Sequence, residues 1–450
     1  MKKIFMGALL VCAAQATYAD VIYPAQGGEY VVPTSSYRLP SDLANHIQRS
    51  FNVYFKSDAP NASASPSSTC ETPASLACVY GLTTQVPGCP ISSTTALPAG
   101  ISGNGGSGTT IGVVEGGDNE NQLSDFNTYS TQFHLPLSPN PANPTETAGA
   151  LNIYYCDSSS TPGATCKLAS GVSPPPTPTQ AAQTEHVLDI QMIHAMAPYA
   201  TIDEVEAASQ TNNDMAVAIS YALALVKAHN SSGGGFVSDS YGAQEHSSET
   251  SEDAKFNQQG GILIASSGDY SAPATYPASS PYVIGAGASS VVRDANGNYV
   301  SQSAWNVNLY NEQIGQKSGT SGGPSLYESR PAFQNFVAKI VGTQRGTPDF
   351  SADGDPNTGV CVYSTYDGGW LKDGGTSAAA PQLAGILDTS AYSVTSTTTT
   401  QSFLTQVYEN TFVNYYSNWQ DIIAGNNGYP ALAGYDFVTG LGTPLGYGGK

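Results

Sequence analysis

The sequence predicts an α/β fold, a mainly parallel sheet with helices on both faces, built as a single large domain. Two observations carry that expectation. Short apolar runs of strand length alternate with helix-length segments over most of the chain, the pattern of strands buried between helical layers. The 450 residues also leave ample length for a buried core; length alone fits one large domain or two smaller ones.

Taken in order, Lys2 and Lys3 precede an apolar stretch from Ile4 to Ala14, and Thr17-Tyr18-Ala19 offers the small residues that a signal peptidase needs. Residues 1–19 therefore read as a signal peptide, with a mature start near Asp20 and export to the periplasm or the cell exterior. The stretch is too short to anchor in a bilayer core of roughly 30 Å, so no stable membrane association is expected. Cys12 follows Leu9-Leu10-Val11, which lacks the small residue of a lipoprotein signal. Residues 20–107 are rich in Ser, Thr, Pro and Gly and read as an N-terminal arm on the core, with one amphipathic piece from Leu43 to Phe55. The core, 108–450, opens with a buried strand over Gly108–Glu115, a helix over Asn121–Phe133 and a strand over Ala150–Tyr155. Pro174–Pro176 force a loop. Thr184–Ala197 reads as a helix stopped by Pro198, Thr201–Ala207 as a strand, and Asp214–His229 as a helix capped by Asn213. Gly235–Ser240 and Gly261–Ser266 are further strands, separated by a polar helical stretch over Ser248–Gln258; Thr395–Thr400 reads as a surface loop.

Composition narrows the partners. Fifteen Lys and Arg stand against 35 Asp and Glu, a net charge of −20, which argues against nucleic acid and anionic membranes. An acidic, lysine-poor chain suits acid conditions, where carboxylates become neutral and few cations remain to repel one another. Of seven cysteines, six remain once Cys12 leaves with the signal, an even number that favours disulfides in an exported chain. Cys156 and Cys166 are spaced for a local loop, as are two of Cys70, Cys78 and Cys89. No Cys/His spacing suggests zinc.

The chemistry centres on Gly375-Thr376-Ser377-Ala378-Ala379-Ala380-Pro381, which opens a small-residue helix running to about Asp388. Unpaired N–H groups at a helix start can hold the negative oxygen of a tetrahedral intermediate beside a serine hydroxyl. A serine capping a helix is far commoner than a nucleophile, so the base decides. None of the six histidines sits in an H-G-T-x-x-A-G setting. Instead Glu185 and Asp189 stand at i and i+4, on one side of a helix, where two acids repel unless they are used together. One carboxylate can accept the serine proton while the other orients it. A third acid, Asp269, follows the strand Gly261–Ser266 at its carboxyl end, where α/β sites form. Kept protonated, it can donate to an oxyanion.

These elements occur in the order of the sedolisin family, the serine-carboxyl peptidases, which the chain resembles over nearly its whole mature length. The resemblance rests on Leu39-Pro40-Ser41-Asp42-Leu43 to Phe51-Asn52-Val53, Gly108–Gly116, Ala265-Ser266-Ser267-Gly268-Asp269, Tyr276-Pro277-Ala278, Arg330-Pro331-Ala332, Pro348–Asp353 and Gly368-Gly369-Trp370 ahead of the Gly-Thr-Ser motif. It implies a subtilisin-like fold and an acid-acting, secreted, monomeric endopeptidase for protein and peptide substrates. Ser377 is then the nucleophile, Glu185 the base, Asp189 its orienting partner and Asp269 the oxyanion acid. It also implies that Glu115 supports the base, and that Tyr241 takes the place of a tryptophan in S-x-S-W-G. A structural calcium ion is implied at Asp421, Ile422, Leu432, Gly434 and Asp436, two carboxylates with backbone carbonyls suiting a hard cation.

Two departures stand out. Asp239, in Ser238-Asp239-Ser240-Tyr241-Gly242, has no explanation in the sequence. The mature-like segment also begins soon after the signal, where the family usually carries a sizeable prodomain. Zymogen control by a full prodomain is thus not expected, and the stretch near Tyr23–Pro33 is left to do some of its work. Two rival readings are a subtilisin-like peptidase using His186 or His194, and a catalytically silent secreted binding protein.

Overall fold

The computed structural model describes residues 20–25, 28–33, 36, 40–57, 65–83, 86–91, 105–138, 149–176, 180–306, 310–311 and 316–450; the expected signal, residues 1–19, lies outside them. The arm is more ordered than its composition suggests. Val21–Ala25 (β1) and Gly28–Val32 (β2) pair antiparallel, Pro40–Asn45 forms a short helix (α1), and Arg49–Ser50 (β3) and Val53–Ser57 (β4) follow. A second helix, Pro73–Val79 (α2), starts at Thr72. Its hydroxyl accepts the Ser75 N–H at 3.1 Å while the Ser75 hydroxyl accepts the Thr72 N–H at 2.8 Å, satisfying two orphan donors reciprocally.

The core strands are Thr110–Gly116 (β5), Leu151–Cys156 (β6), Cys166–Leu168 (β7), Thr201–Ala207 (β8), Gly235–Asp239 (β9), Tyr241–Gln244 (β10), Gly261–Ser266 (β11), Val283–Arg293 (β12), Tyr299–Ala304 (β13) and Phe350–Asp353 (β14). They build a nine-stranded sheet in the order β13-β12-β11-β9-β5-β8-β6-β7, with β14 also on β12 and β10 outside it. The pairings are parallel except β12 with β13 and β6 with β7. The mainly parallel sheet expected from the alternation is therefore present.

The helices differ from the expectations mainly at their starts. Gln122–Phe133 (α3) agrees closely. Gln180–Met196 (α4) begins four residues early, and Asn212–His229 (α5) is capped by Thr211, whose hydroxyl accepts the Asp214 N–H at 3.3 Å, rather than by Asn213. The polar stretch expected as a helix holds only two short 3₁₀ turns, Glu249–Ser251 and Asp253–Lys255. Val360–Ser364 (β15) and Gly369–Gly374 (β16) lead into Thr376–Asp388 (α6), and Thr400–Asn418 (α7) follows, capped by Thr399 from the end of the expected surface loop.

The arm joins this framework by pairing rather than by lying over it: β1-β2-β4-β16-β15 form one antiparallel sheet, with Val53 opposite Gly374 and Phe55 opposite Lys372. Cys70–Cys361 ties arm to core across a sequence separation of 291, and the local bridges Cys78–Cys89 and Cys156–Cys166 match the expected spacings. Among the described residues no helix is long and apolar enough to cross a membrane.

Candidate active site

Helix α4 carries Thr184, Glu185, His186, Asp189, Gln191 and His194 fully buried, together with Val187, Leu188, Ile190 and Ile193. A helix buried all round must place its polar groups in specific company, because an unpaired buried charge costs several kcal/mol. Its neighbour is α6. A β-carbon on Gly385 of α6 would lie 2.8 Å from Met196 Cβ and 3.1 Å from the Ile193 carbonyl, so the small residues of Ala378–Gly385 let the two backbones approach closely.

Helix α6 begins immediately after Gly375, whose φ of 95° is a left-handed-region value that suits glycine. Ser377 therefore stands in the first turn with its N–H unclaimed within the helix. Pro381 has no N–H to return to the carbonyl four residues earlier, and the Ser377 carbonyl instead accepts the Ser240 hydroxyl at 3.4 Å.

Of the two carboxyls expected to serve Ser377, Glu185 lies beside it and Asp189 lies near Glu185. Glu185 is buried against the Ser377 hydroxyl, and neither of its oxygens completes a hydrogen bond of ordinary geometry. Burial first, and then the neighbouring Asp189 charge, hold its pKa well above the usual carboxyl range, while the serine hydroxyl pulls it down. Asp189, also pushed up by burial, lies next to the Ser240 hydroxyl and the Glu115 carboxyl. Glu115, at the end of β5, accepts the Tyr241 hydroxyl at 3.2 Å. Burial and the charges of Asp189, Glu185 and Glu204 raise it as well.

Asp269 enters from the other side. It follows β11 through Gly268, and its Oδ1 accepts both the Thr376 N–H at 2.8 Å and the Thr376 hydroxyl at 2.9 Å. Oδ2 is buried and unpartnered. Burial pushes this carboxyl up to about 8, against the opposing pull of Thr376.

The arm crosses this space. The Phe51 N–H donates to Ser377 Oγ at 2.9 Å, and the Ser377 N–H donates to the Phe51 carbonyl at 3.0 Å. A β-carbon on Gly375 would collide with that carbonyl oxygen and with Asp269 Oδ2, so both oxygens face one small space. On one side of Phe51, Ser50 and Arg49 pair antiparallel with Tyr241 and Gly242; on the other, Val53 and Tyr54 pair with Gly374 and Asp373. The Phe51 ring packs against Gly242 and lies edge-on to Tyr270, centroids 6.4 Å apart. The segment Arg49–Tyr54 thus lies in the cleft as an extended peptide. The sequence assigned it only to the resemblance, since its partners lie far along the chain.

Neither candidate imidazole faces the serine. His186 bonds Glu204 Oε1 through Nδ1 at 3.0 Å, and His194 bonds the Pro136 carbonyl at 2.9 Å and packs on Phe126. One carboxyl escaped the sequence reading, and another, Asp239, was left unexplained by it. Asp373, buried beside Glu185, Asp189 and Asp269, accepts the Gly374 N–H at 2.8 Å. Asp239 accepts the Tyr241 N–H at 3.2 Å where the chain leaves the central sheet, and burial raises its pKa to about 7.

At the C-terminal loop, Asp421 accepts the Gly434 N–H at 3.0 Å and Asp436 the Leu432 N–H at 2.7 Å, so both carboxyls face the same turn. Asp436 also accepts the N–H groups of Val438 and Thr439. An all-oxygen donor set from Asp421, Asp436 and the carbonyls of Ile422, Leu432 and Gly434 fits a hard cation.

Comparison with known proteins adds the relationship. The chain is 33% identical over 174 residues to sedolisin of Pseudomonas sp. (strain 101), a match covering 39% of this chain and 28% of that protein. It is 30% identical over 180 residues to xanthomonalisin of Xanthomonas sp. (strain T-22), covering 38% and 20%. To kumamolisin of Bacillus sp. (strain MN-32) it is 30% identical over 290 residues, covering 58% and 49%. The matches thus span from a fifth to a half of these relatives' lengths. No protein-family profile matches the chain. Among solved structures, Pseudomonas sedolisin, a serine-carboxyl proteinase complexed with two molecules of pseudo-iodotyrostatin, superposes with a TM-score of 0.61 at 22% identity, covering 84% of this chain and 96% of that one. By the sequence it shares with parts of these relatives and by its fold, the chain is similar to the sedolisins.

Proposed function

We propose that this protein is a secreted serine endopeptidase that hydrolyses protein chains at acid pH through Ser377, with Glu185 as general base, Asp189 orienting it and Asp269 in the oxyanion hole. The observation that carries this reading is the seat of Phe51: a peptide carbonyl at the Ser377 N–H, facing the space of Asp269 Oδ2, with strands pairing the peptide on both sides. A substrate backbone in the same seat meets a donor pair ready for the charge that develops on its oxygen.

As Ser377 Oγ attacks that carbonyl carbon, its proton passes to Glu185 and the carbonyl oxygen takes the negative charge between the Ser377 N–H and the Asp269 Oδ2–H. Collapse breaks the C–N bond, and Glu185 returns the proton to the departing amine. Water then repeats the sequence on the acyl-enzyme. The site works with Glu185 ionised while Asp189 and Asp269 keep their protons; protonating those two removes two of the three neighbouring charges that, with burial, raise Glu185. Glu115 and Tyr241 hold Asp189 from behind. A carboxylate base of this kind remains usable where an imidazole is protonated.

Residues 20–107 serve in this reading as an arm on a 108–450 core, released after removal of residues 1–19, and the protein acts as a monomer. Calcium at Asp421, Ile422, Leu432, Gly434 and Asp436 supplies positive charge that fixes the C-terminal loop. The test is hydrolysis of a denatured protein at about pH 4 by the unaltered protein, Ser377→Ala and Glu185→Gln. Each substitution is expected to lower the rate by about 10⁴-fold or more; equal rates from all three would remove the proposal.

A further inference from the structure

Behind the carboxyls that serve Ser377 lies a second polar cluster. On β8 the alternation of the strand turns Glu204 and Glu206 to the same face, toward α4. His186 meets them there: one ligating atom from each of His186, Glu204 and Glu206 lies within 4.8 Å of the other two, and all three side chains are fully buried. The ion pairs described for this group are those of His186, with Glu204 Oε1 at 3.0 Å and Glu115 Oε2 at 3.9 Å.

Three observations point beyond a structural pair. Glu204 Oε2 and Gln122 Oε1 are buried and unpartnered, and the Glu206 and Asp118 carboxyls meet each other, an expensive arrangement without a proton or a cation to receive them. The supporting contacts of a metal centre are in place, since Gln122 Nε2 donates to Glu206 Oε1 at 2.7 Å and fixes that carboxyl. The imidazole also turns Nδ1 into the cluster, while its buried Nε2 makes no hydrogen bond and has Glu115 Oε2 at 3.9 Å.

We infer that His186, Glu204 and Glu206 form a buried site for a divalent transition ion of the zinc or manganese class. An imidazole nitrogen beside two carboxylates suits those ions, whereas calcium and magnesium favour all-oxygen sets. The ion neutralises two carboxylates that have no lysine or arginine in the described ion pairs. It also holds His186 in place against Glu115, at the rear of the candidate active site. The site is separate from the C-terminal loop and does not depend on the proposed peptidase activity. Its ligands bind the ion only when deprotonated, so acid releases it.

The experiment uses the full chain carrying Ser377→Ala, which prevents self-digestion. It is dialysed at neutral pH against Zn(II) or Mn(II) with excess calcium, then freed of loose metal and analysed by elemental mass spectrometry. About one equivalent of Zn or Mn is expected to remain, to leave on acidification and to raise the thermal midpoint. Asp436→Asn is expected to retain that ion, and Glu204→Gln with Glu206→Gln to lose at least about nine-tenths of it. Because the double variant tests the site only if it folds, Co(II) is also titrated into the chain with both glutamates intact, with a visible d–d band from an imidazole-carboxylate set as the readout. No retained Zn or Mn together with no Co(II) band would overturn the inference. So would undiminished binding in a folded double variant.

Discussion

Asp269→Asn offers a quantitative probe of the buried carboxyls. Asp269 is buried, and burial raises its pKa from the ordinary 3.8 to about 8. Its folded-state pKa therefore lies above its unfolded one. Between those values the native state keeps a proton that the unfolded chain has lost, so the stabilising contribution is complete below about pH 4 and disappears as pH rises through about 8. At about 1.4 kcal/mol per pKa unit, this single group removes roughly 6 kcal/mol of stability across that window. Asparagine keeps the shape, can accept from Thr376 and cannot ionise. Urea unfolding of Ser377→Ala, with and without Asp269→Asn, is to be measured at about pH 4, 6 and 8. The expected result is a loss on raising the pH that is several kcal/mol smaller in the asparagine variant. Parallel pH dependences would refute the claim that Asp269 is held protonated by its surroundings, and with it the donor assigned to the oxyanion.

Phe51→Ala removes a fully buried ring from the arm, worth about 3–5 kcal/mol of docking, and should raise kcat/KM for a short peptide substrate by freeing the cleft. An unchanged or lower value would mean that the arm does not compete with substrate. Calcium chelation, or Asp436→Asn, should lower the thermal midpoint by several degrees, with added calcium restoring only the unaltered protein; a midpoint indifferent to calcium would remove that ion from the account. Reducing Cys70–Cys361 should cost roughly 2–5 kcal/mol, since that bridge closes a long loop between arm and core. Equal urea midpoints for the oxidised protein and a Cys70→Ser, Cys361→Ser variant would contradict this.

What the sequence disclosed follows the range of the interactions involved. The i, i+4 spacing of Glu185 and Asp189 and the small-residue helix after Gly375 are local patterns, and Glu185 lies against the Ser377 hydroxyl with Asp189 near it. The start of α4 at Gln180 precedes the expected Thr184 by a turn, because helix ends are less sharply marked than helix interiors. The role of the arm was hidden because β3 and β4 are short strands, paired with Tyr241–Gly242 and Gly374–Lys372 far along the chain. Asp239 read as an oddity on a strand, and its reason, a bond to the Tyr241 N–H at a turn out of the sheet, exists only in the fold. The contact of His186 with Glu204 likewise joins a helix to a strand, which neither periodicity reveals.

The central claim is that a carboxylate rather than an imidazole activates Ser377. The direct measurement is the pH dependence of kcat/KM for a peptide substrate, taken for the unaltered protein and for Glu185→Gln. Substantial hydrolysis is expected at about pH 4, where an imidazole base is protonated, with near-complete loss in the glutamine variant at every pH. A rate that falls away below about pH 6 and survives Glu185→Gln would contradict it.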